Sequence, residues 1–111
     1  MGESKRRLAE LHAHNEKRNA LFRNPNDEDV LAWWAMEMGN VPPVDPLVPM
    51  AALHKARLQW LDATDTMLEQ SKLWLVEHGF TAEWHGAPPL TPEQRDADRK
   101  LLGKPPVLDV N

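Results

Sequence analysis

The histidines are the residues of this chain best suited to metal chemistry. The chain has five of them, together with 17 Asp and Glu residues and no cysteine. His12 and Glu16 are four residues apart, so in a helix they share one face and two ligands can reach one metal ion. The other histidines are His14, His54, His78 and His85. None of them completes a His-Glu-x-x-His pattern, and the sequence therefore predicts neither a metal site nor a bound cofactor.

The chain has two serines, which are candidates for a nucleophile. Ser4 lies in a basic amino-terminal stretch, and Ser71 falls on the apolar stripe of a predicted helix. Neither has the glycine neighbours of a nucleophile elbow, and the five glycines are isolated, so no phosphate-binding loop is present. The acidic residues cluster at predicted helix starts, where they act as caps rather than as paired catalytic carboxylates. We therefore expect no catalytic residue and no enzymatic activity.

The elements that would position these residues are separated by glycine and proline. Gly39, Gly86 and Gly103 are each followed within three residues by a Pro-Pro pair. Glycine favours the left-handed conformation that ends a helix, and paired prolines hold the chain extended. The three sites predict two Pro-Pro connections and an extended carboxy-terminal tail over residues 103–111.

Four helices are predicted between these stops. The first covers about residues 3–22, and the second begins at the N-cap Asn26 and ends at Gly39. A Pro-rich connection over 40–49 leads to a long helix from Met50 to His78, and Thr91 opens a short helix to about Leu102, with Leu101 and Leu102 as its main packing residues. The sequence thus predicts an all-α fold, a small bundle of three main helices and a short fourth, in a single domain over residues 1–102.

The first helix has an unusual stripe. Leu8, Leu11 and Phe22 share it with Asn15 and Arg18, at a spacing that resembles a coiled-coil seam with polar residues at its centre. The alternative is a mostly exposed helix that docks only at its ends.

Charge is distributed unevenly along the chain, although the net charge is only −4. The basic amino-terminal helix over residues 1–24 contains six Lys and Arg: Lys5, Arg6, Arg7, Lys17, Arg18 and Arg23. Residues 25–50 contain five acids and no Lys or Arg. Such a basic end is either a solvated helix face or an arm for nucleic acid or an acidic partner.

Two functions follow from these patterns. The first is a non-enzymatic interaction or oligomerisation protein, such as an adaptor, inhibitor or assembly component, because large aromatic side chains and extended proline segments are typical of binding surfaces. Its expected contact residues are Trp33, Trp34, Val44, Leu47 and Trp84. The alternative is a nucleic-acid-binding accessory or regulatory protein that binds through the six basic residues of the amino-terminal helix. The absence of cysteine favours a reducing, intracellular location, so we expect a cytoplasmic protein. No apolar segment is long enough for a membrane span, so we expect a protein partner or a second copy of the chain and no membrane partner.

Overall fold

The computed structural model describes residues 2–39 and 41–107, with side chains from residue 13 onward. Over these residues the chain forms helices and no β-strand, which confirms the all-α class. The helices are α1 (Gly2–Arg23), α2 (Asp27–Met38), α3 (Val48–Arg57), α4 (Asp65–Glu77) and α5 (Pro92–Leu101). None of these helices is both long enough and apolar enough to cross a membrane. The helices belong to two compact units, unit 1 (Met1–Pro43) and unit 2 (Val44–Asn111). The single domain over residues 1–102 stays a prediction.

Unit 1 is a helical hairpin whose second helix begins and ends as the sequence predicts. The Asn26 side chain accepts a hydrogen bond from the Asp29 backbone N–H at 2.8 Å, and acidic residues fill the first turn of α2. These carboxylates are favourable there because the amino-terminal end of a helix carries partial positive charge. Gly39 ends α2 in the left-handed conformation with φ of 62°. The short joint between α1 and α2 therefore reverses the chain at a defined point.

From residue 13 onward, the buried apolar residues of unit 1 are Leu21 and Phe22 on α1 and Val30 and Trp33 on α2. Farther along the hairpin, His14 Nε2 lies 3.2 Å from Glu37 Oε1. Residue 14 of α1 is thus opposite residue 37 of α2, which fixes an antiparallel register between the two helices.

The structure of unit 2 contradicts the prediction of one long helix. The expected continuous helix from Met50 to His78 is two helices, α3 and α4, separated by a turn over residues 58–64. Thr64 is the N-cap of α4, because its Oγ1 accepts a hydrogen bond from the Met67 backbone N–H at 3.1 Å. The chain therefore has five helices over its described residues, instead of three main helices and a short fourth.

Burial explains why a break is more stable than a straight helix. Leu58 and Ala63, both in the turn, are fully buried, and Leu53 of α3 and Leu75 of α4 are fully buried where these helices pack together. A straight helix of about 29 residues would keep these leucines apart, since they lie on different turns along one axis. The turn folds α4 back onto α3 and removes both sets of apolar side chains from water.

Helix α5 begins at the predicted cap, where Thr91 Oγ1 accepts a hydrogen bond from the Gln94 backbone N–H at 3.1 Å. Its packing differs from the prediction, because Leu101 and Leu102 are exposed and the buried residues are Arg95 and Arg99. A ten-residue helix this polar has no apolar stripe to bury. It docks through guanidinium groups instead.

These arginines bind the turn between α3 and α4. Arg95 donates to the Ala63 carbonyl at 2.9 Å and pairs with Asp65 at 2.7 Å. Arg99 donates to the Leu61 carbonyl at 2.9 Å and to Asp62 at 2.6 Å. The turn that the sequence analysis missed is therefore the anchor point of the last helix.

The segment between α4 and α5 also contacts this turn. The Leu90 backbone N–H donates to the Leu58 carbonyl at 3.0 Å, and the Gln59 side chain donates to the Pro88 carbonyl at 2.7 Å. After α5, the Pro105 carbonyl accepts a hydrogen bond from Arg99 Nε at 2.8 Å. Residues 103–107 are not helical, while residues 108–111 of the predicted tail lie outside the described residues.

The Pro-rich connection is shorter than predicted. Its residue 40 lies outside the described residues, and α3 already begins at Val48. The turn before α3 is organised by Asp45, whose carboxylate accepts a hydrogen bond from the Leu47 backbone N–H at 2.8 Å and whose carbonyl accepts one from Val48 at 3.0 Å.

Candidate functional site

A Ser-His pair lies inside unit 2 and requires a test for nucleophilic chemistry. His54 Nδ1 is 3.0 Å from Ser71 Oγ, and Arg57 Nη1 donates to the same oxygen at 3.3 Å. All three side chains are buried, and Ser71 is fully so. The spacing matches that of a nucleophile and its base, but a serine closed off from solvent cannot reach a substrate without a rearrangement of α3 and α4.

The electrostatics of this cluster also oppose catalysis. Burial, with the charge of Arg57 and the neighbouring His78, lowers the pKa of His54 to about 4. Burial likewise lowers the pKa of Arg57 to about 10, and its Nε has no hydrogen-bond partner among the described residues. A triad base is normally oriented by a carboxylate that stabilises its protonated form, whereas a cation beside the ring weakens it as a base. The contacts of His54 and Arg57 with Ser71 link α3 to α4.

Aromatic stacking continues from this cluster toward the surface. The Trp74 ring stacks on His54 with centroids 4.7 Å apart and on His78 at 3.9 Å. His78 Nδ1 also lies 2.7 Å from the Trp74 carbonyl near the end of α4. The rings of Trp74, His54 and His78 are therefore all packed against one another within unit 2.

In the part of the chain that the structure describes, no three His, Asp or Glu side chains lie close enough together to bind one metal ion. His14 contacts Glu37, and the side chain of His12 lies outside the described residues.

The candidate site is the second apolar face of α2. Val30 and Trp33 face the interior of unit 1, and Trp33 is only 5% exposed. The outer stripe of α2 consists of Leu31, Trp34, Ala35 and Met38. Val30 is followed by Leu31, and Trp33 is followed by Trp34. Successive residues of an α-helix are about 100° apart around its axis, so the two faces are separated by that angle.

The outer stripe is accessible to solvent along most of its length. Leu31 is 55% exposed and Met38 is 45% exposed, while Trp34 and Ala35 are half-buried. Val41, just beyond the end of α2, is 54% exposed. Their spacing of three and four residues is that of a helix face that packs against another helix. Hairpin formation thus uses one apolar face of α2 and leaves a second one open.

Trp34 is held in place within this stripe. Its indole N–H donates to the Val41 carbonyl at 3.0 Å. The one polar group of the side chain is therefore already satisfied, and a partner could cover the ring without leaving a buried donor unpaired. This bond also fixes Val41 beside α2.

Carboxylates lie at the amino-terminal end of the outer stripe. Asp27 and Glu28 precede Leu31 by four and three residues, so they continue the stripe by one turn. Both are exposed, and neither has an ion-pair partner among the described residues. Helix α2 itself contains no Lys or Arg.

The other predicted contact residues lie in different environments. Trp33 is part of the buried interior, so Trp34 and not Trp33 contributes to the open face. Val44 and Leu47 are exposed in the turn before α3, and they belong to unit 2. Trp84 is half-buried beside a tight turn, where its backbone pairs with Ala87.

The basic residues proposed for nucleic acid are only partly described. The side chains of Lys5, Arg6 and Arg7 lie outside the described residues. Lys17 and Arg23 are exposed, whereas Arg18 donates to the Asn19 side chain at 3.2 Å and lies over the Phe22 ring. Nucleic-acid binding stays a prediction from the sequence.

A pocket of about 430 Å³ lies between α1 and α2. Its lining includes Leu21, Trp33 and Met36 on the apolar side and Lys17 and Arg18 on the polar side. The indole N–H of Trp33 is buried with no hydrogen-bond partner among the described residues.

No protein-family model matches the chain. No curated protein and no solved structure matches it either. The residues and geometry described above are therefore the basis for a functional proposal.

The outer stripe has a sequence signal, because Trp33-Trp34 within a short amphipathic helix gives adjacent aromatic residues that cannot both face one partner. The buried arginines had no such signal. Their partners are backbone carbonyls, whose positions depend on the turn between α3 and α4.

Proposed function

We propose that this chain is a non-enzymatic protein-interaction or oligomerisation protein that binds through the outer stripe of α2. The observation that carries the proposal is a stripe of helical spacing that stays exposed after the hairpin has buried Val30 and Trp33. Covering exposed apolar surface is the main favourable contribution to protein association, and a rigid tryptophan contributes at low entropic cost. The cytoplasmic setting stays a prediction of the sequence.

The chemistry of unit 2 supports the absence of an enzymatic role. Ser71 is the one described serine with a histidine at hydrogen-bond distance, and it is fully buried. Its histidine has a pKa near 4, well below that of a general base suited to neutral pH. We therefore assign the His54–Ser71–Arg57 cluster a structural role.

Site-specific photo-crosslinking in the native host tests this proposal. A photoreactive residue at position 31 or 38 should give adducts of discrete mass with another protein chain, because both positions lie on the outer stripe. The matched control is position 69, which is exposed on α4 of unit 2. Adducts from position 69 alone, or no adducts from positions 31 and 38, would overturn the proposal.

A further inference from the structure

The pocket between α1 and α2 lies on the flank of α2 that faces away from the outer stripe. On α2 it is lined by Asp29, Ala32, Trp33 and Met36, at spacings of three and four residues. Ala32 precedes Trp33 and Trp34 follows it, so the two flanks are about 200° apart around the helix. The pocket is therefore a second candidate site, on a different surface from the one that carries the proposed function.

The pocket has an apolar wall of the kind that holds the body of a small molecule. Leu21 and Trp33 form the buried part of this wall. Met36 also lines the pocket and is exposed, and its flexible side chain can adjust to an occupant. The volume of about 430 Å³ falls within the range of roughly 300 to 1,000 Å³ that is usual for sites of organic ligands. The space is thus large enough for an organic molecule.

The charged residues of the lining favour an anion. Lys17 and Arg18 line the pocket from α1, and neither forms an ion pair with a carboxylate among the described residues. Asp29 is the one carboxylate of the lining. Two cations and one carboxylate leave one net positive charge, apart from any charge on His14. A monoanion matches that charge, whereas a ligand with several negative charges exceeds it.

Two buried nitrogen atoms of the lining residues lack a hydrogen-bond partner among the described residues. They are Nε1 of Trp33 and Nδ1 of His14. The other ring nitrogen of His14, Nε2, lies 3.2 Å from Glu37 Oε1, so the ring is held in place. Buried polar atoms in folded proteins are normally paired, and each exception calls for a specific explanation. A ligand with hydrogen-bonding oxygens would supply partners that the hairpin itself does not.

We propose that this pocket binds a small monocarboxylate with an apolar body. The apolar body lies against Leu21, Trp33 and Met36, and the cations Lys17 and Arg18 orient the carboxylate. An ammonium and a guanidinium both form charge-assisted hydrogen bonds with a carboxylate, which are stronger than hydrogen bonds between neutral groups. The apolar wall supplies affinity, and the two cations select the head group.

Isothermal titration calorimetry of the full chain with octanoate, octanol and octylamine tests the proposal. The three probes share one apolar body and differ in the charge of the head group. Octanoate should bind saturably at one site per chain, with a dissociation constant at least about tenfold below those of octanol and octylamine. Equal binding of octanol or octylamine, or no saturable binding of octanoate, would overturn the proposal.

Removing the two cations tests the role of their charge. Lys17→Gln with Arg18→Gln should raise the dissociation constant of octanoate about tenfold or more. The matched control is Lys100→Gln with Lys104→Gln, which removes two exposed cations of unit 2 and should leave the affinity unchanged. Circular dichroism reports whether each variant keeps its helices. An unchanged affinity in the first variant, or an equal loss in the control, contradicts a site formed by Lys17 and Arg18.

Filling the pocket tests its location. Ala32 lines the pocket and is exposed, so Ala32→Trp adds a large side chain there without crowding the buried interior. This variant should weaken octanoate binding about tenfold or more, whereas Ala13→Trp, at an exposed position outside the lining, should not. Full binding by an Ala32→Trp variant that remains helical rules out this pocket as the site. That result would leave the proposed interaction through the outer stripe intact.

Discussion

Helices α2 and α5 reverse the usual relation between polarity and burial. Helix α2 exposes Leu31 and Met38, whereas α5 buries Arg95 and Arg99 and exposes Leu101. The difference lies in what each helix meets. The hairpin offers α2 a single apolar neighbour, while the turn between α3 and α4 offers α5 a set of backbone carbonyls and carboxylates. For these residues of α2 and α5, burial follows the available partner and not the hydropathy of the side chain.

This comparison also distinguishes the two units. In unit 2, even a helix without an apolar stripe is docked, through guanidinium groups that donate to Ala63 and Leu61. In unit 1, a helix with two apolar stripes has only one of them buried. Helix α5 thus has its partners inside unit 2, whereas the outer stripe of α2 stays exposed. Unit 2 has exposed apolar residues as well, such as Leu73 and Val76 of α4.

The adjacent tryptophans of α2 give the largest expected contrast. Trp33→Ala should lower the free energy of unfolding by about 4 kcal/mol, because it leaves a cavity in a buried site. Trp34→Ala should lower it by about 1 kcal/mol when the protein is measured at low concentration. Urea unfolding followed by circular dichroism measures both. Equal losses would show that the two faces of α2 are not different.

The arginine anchors of α5 should matter more than its leucines. Arg95→Leu should cost about 3 kcal/mol, because it leaves the Ala63 carbonyl without its donor and Asp65 without its ion pair. The control Leu101→Ser should change stability by less than about 0.5 kcal/mol, since Leu101 is exposed. Thermal unfolding measures the stability of both variants. A larger loss of stability for Leu101→Ser than for Arg95→Leu would refute the docking of α5 through its arginines.

Acid should weaken unit 2 through His54. The pKa of this histidine is about 4 in the folded chain, below its ordinary 6.5, so between these pH values the unfolded chain binds a proton that the folded chain does not. Stability should therefore fall as the pH drops from 6.5 to 4, with His54 contributing up to about 3 kcal/mol. Urea midpoints at pH 7 and pH 4 should differ less for His54→Gln, and an unchanged difference would exclude His54 as the cause.

The N-cap of α2 should have the smallest effect. Asn26→Ala removes the acceptor for the Asp29 N–H and should cost about 1 kcal/mol, whereas Asn26→Asp retains an acceptor and should cost little. Helical content and unfolding midpoints measure the two variants. If Asn26→Asp is as damaging as Asn26→Ala, the side-chain cap is not what starts α2.

The helix ends that depend on local chemistry could be predicted from the sequence. Asn26 and Thr91 each accept a hydrogen bond from a backbone N–H three residues onward, which is a contact within one turn. Thr64 forms the same kind of cap, yet it also fits an apolar stripe that continues through it. Periodicity favoured one long helix, and only the packing of Leu58 and Ala63 in the turn decides for two.

The candidate site was partly predictable for a related reason. The pattern of α2 identifies its apolar residues, and Trp34 was among the expected contacts. It does not decide whether Val30 and Trp33 or the outer stripe faces α1. The face that α2 turns toward α1 depends on how the two helices pack together. The contact between His14 and Glu37, which are 23 residues apart in the sequence, belongs to that packing and cannot be read from the sequence.

The turn over residues 58–64 receives α5 mainly through its backbone, and this affects which positions can vary. A carbonyl is present whatever side chain the residue has, so residue 61 can change its side chain without losing the acceptor that Arg99 uses. Arg99 itself has no such freedom, because only a guanidinium reaches Leu61, Asp62 and Pro105 at once. Among divergent copies of this protein, the arginines of α5 should persist while the side chain at residue 61 drifts.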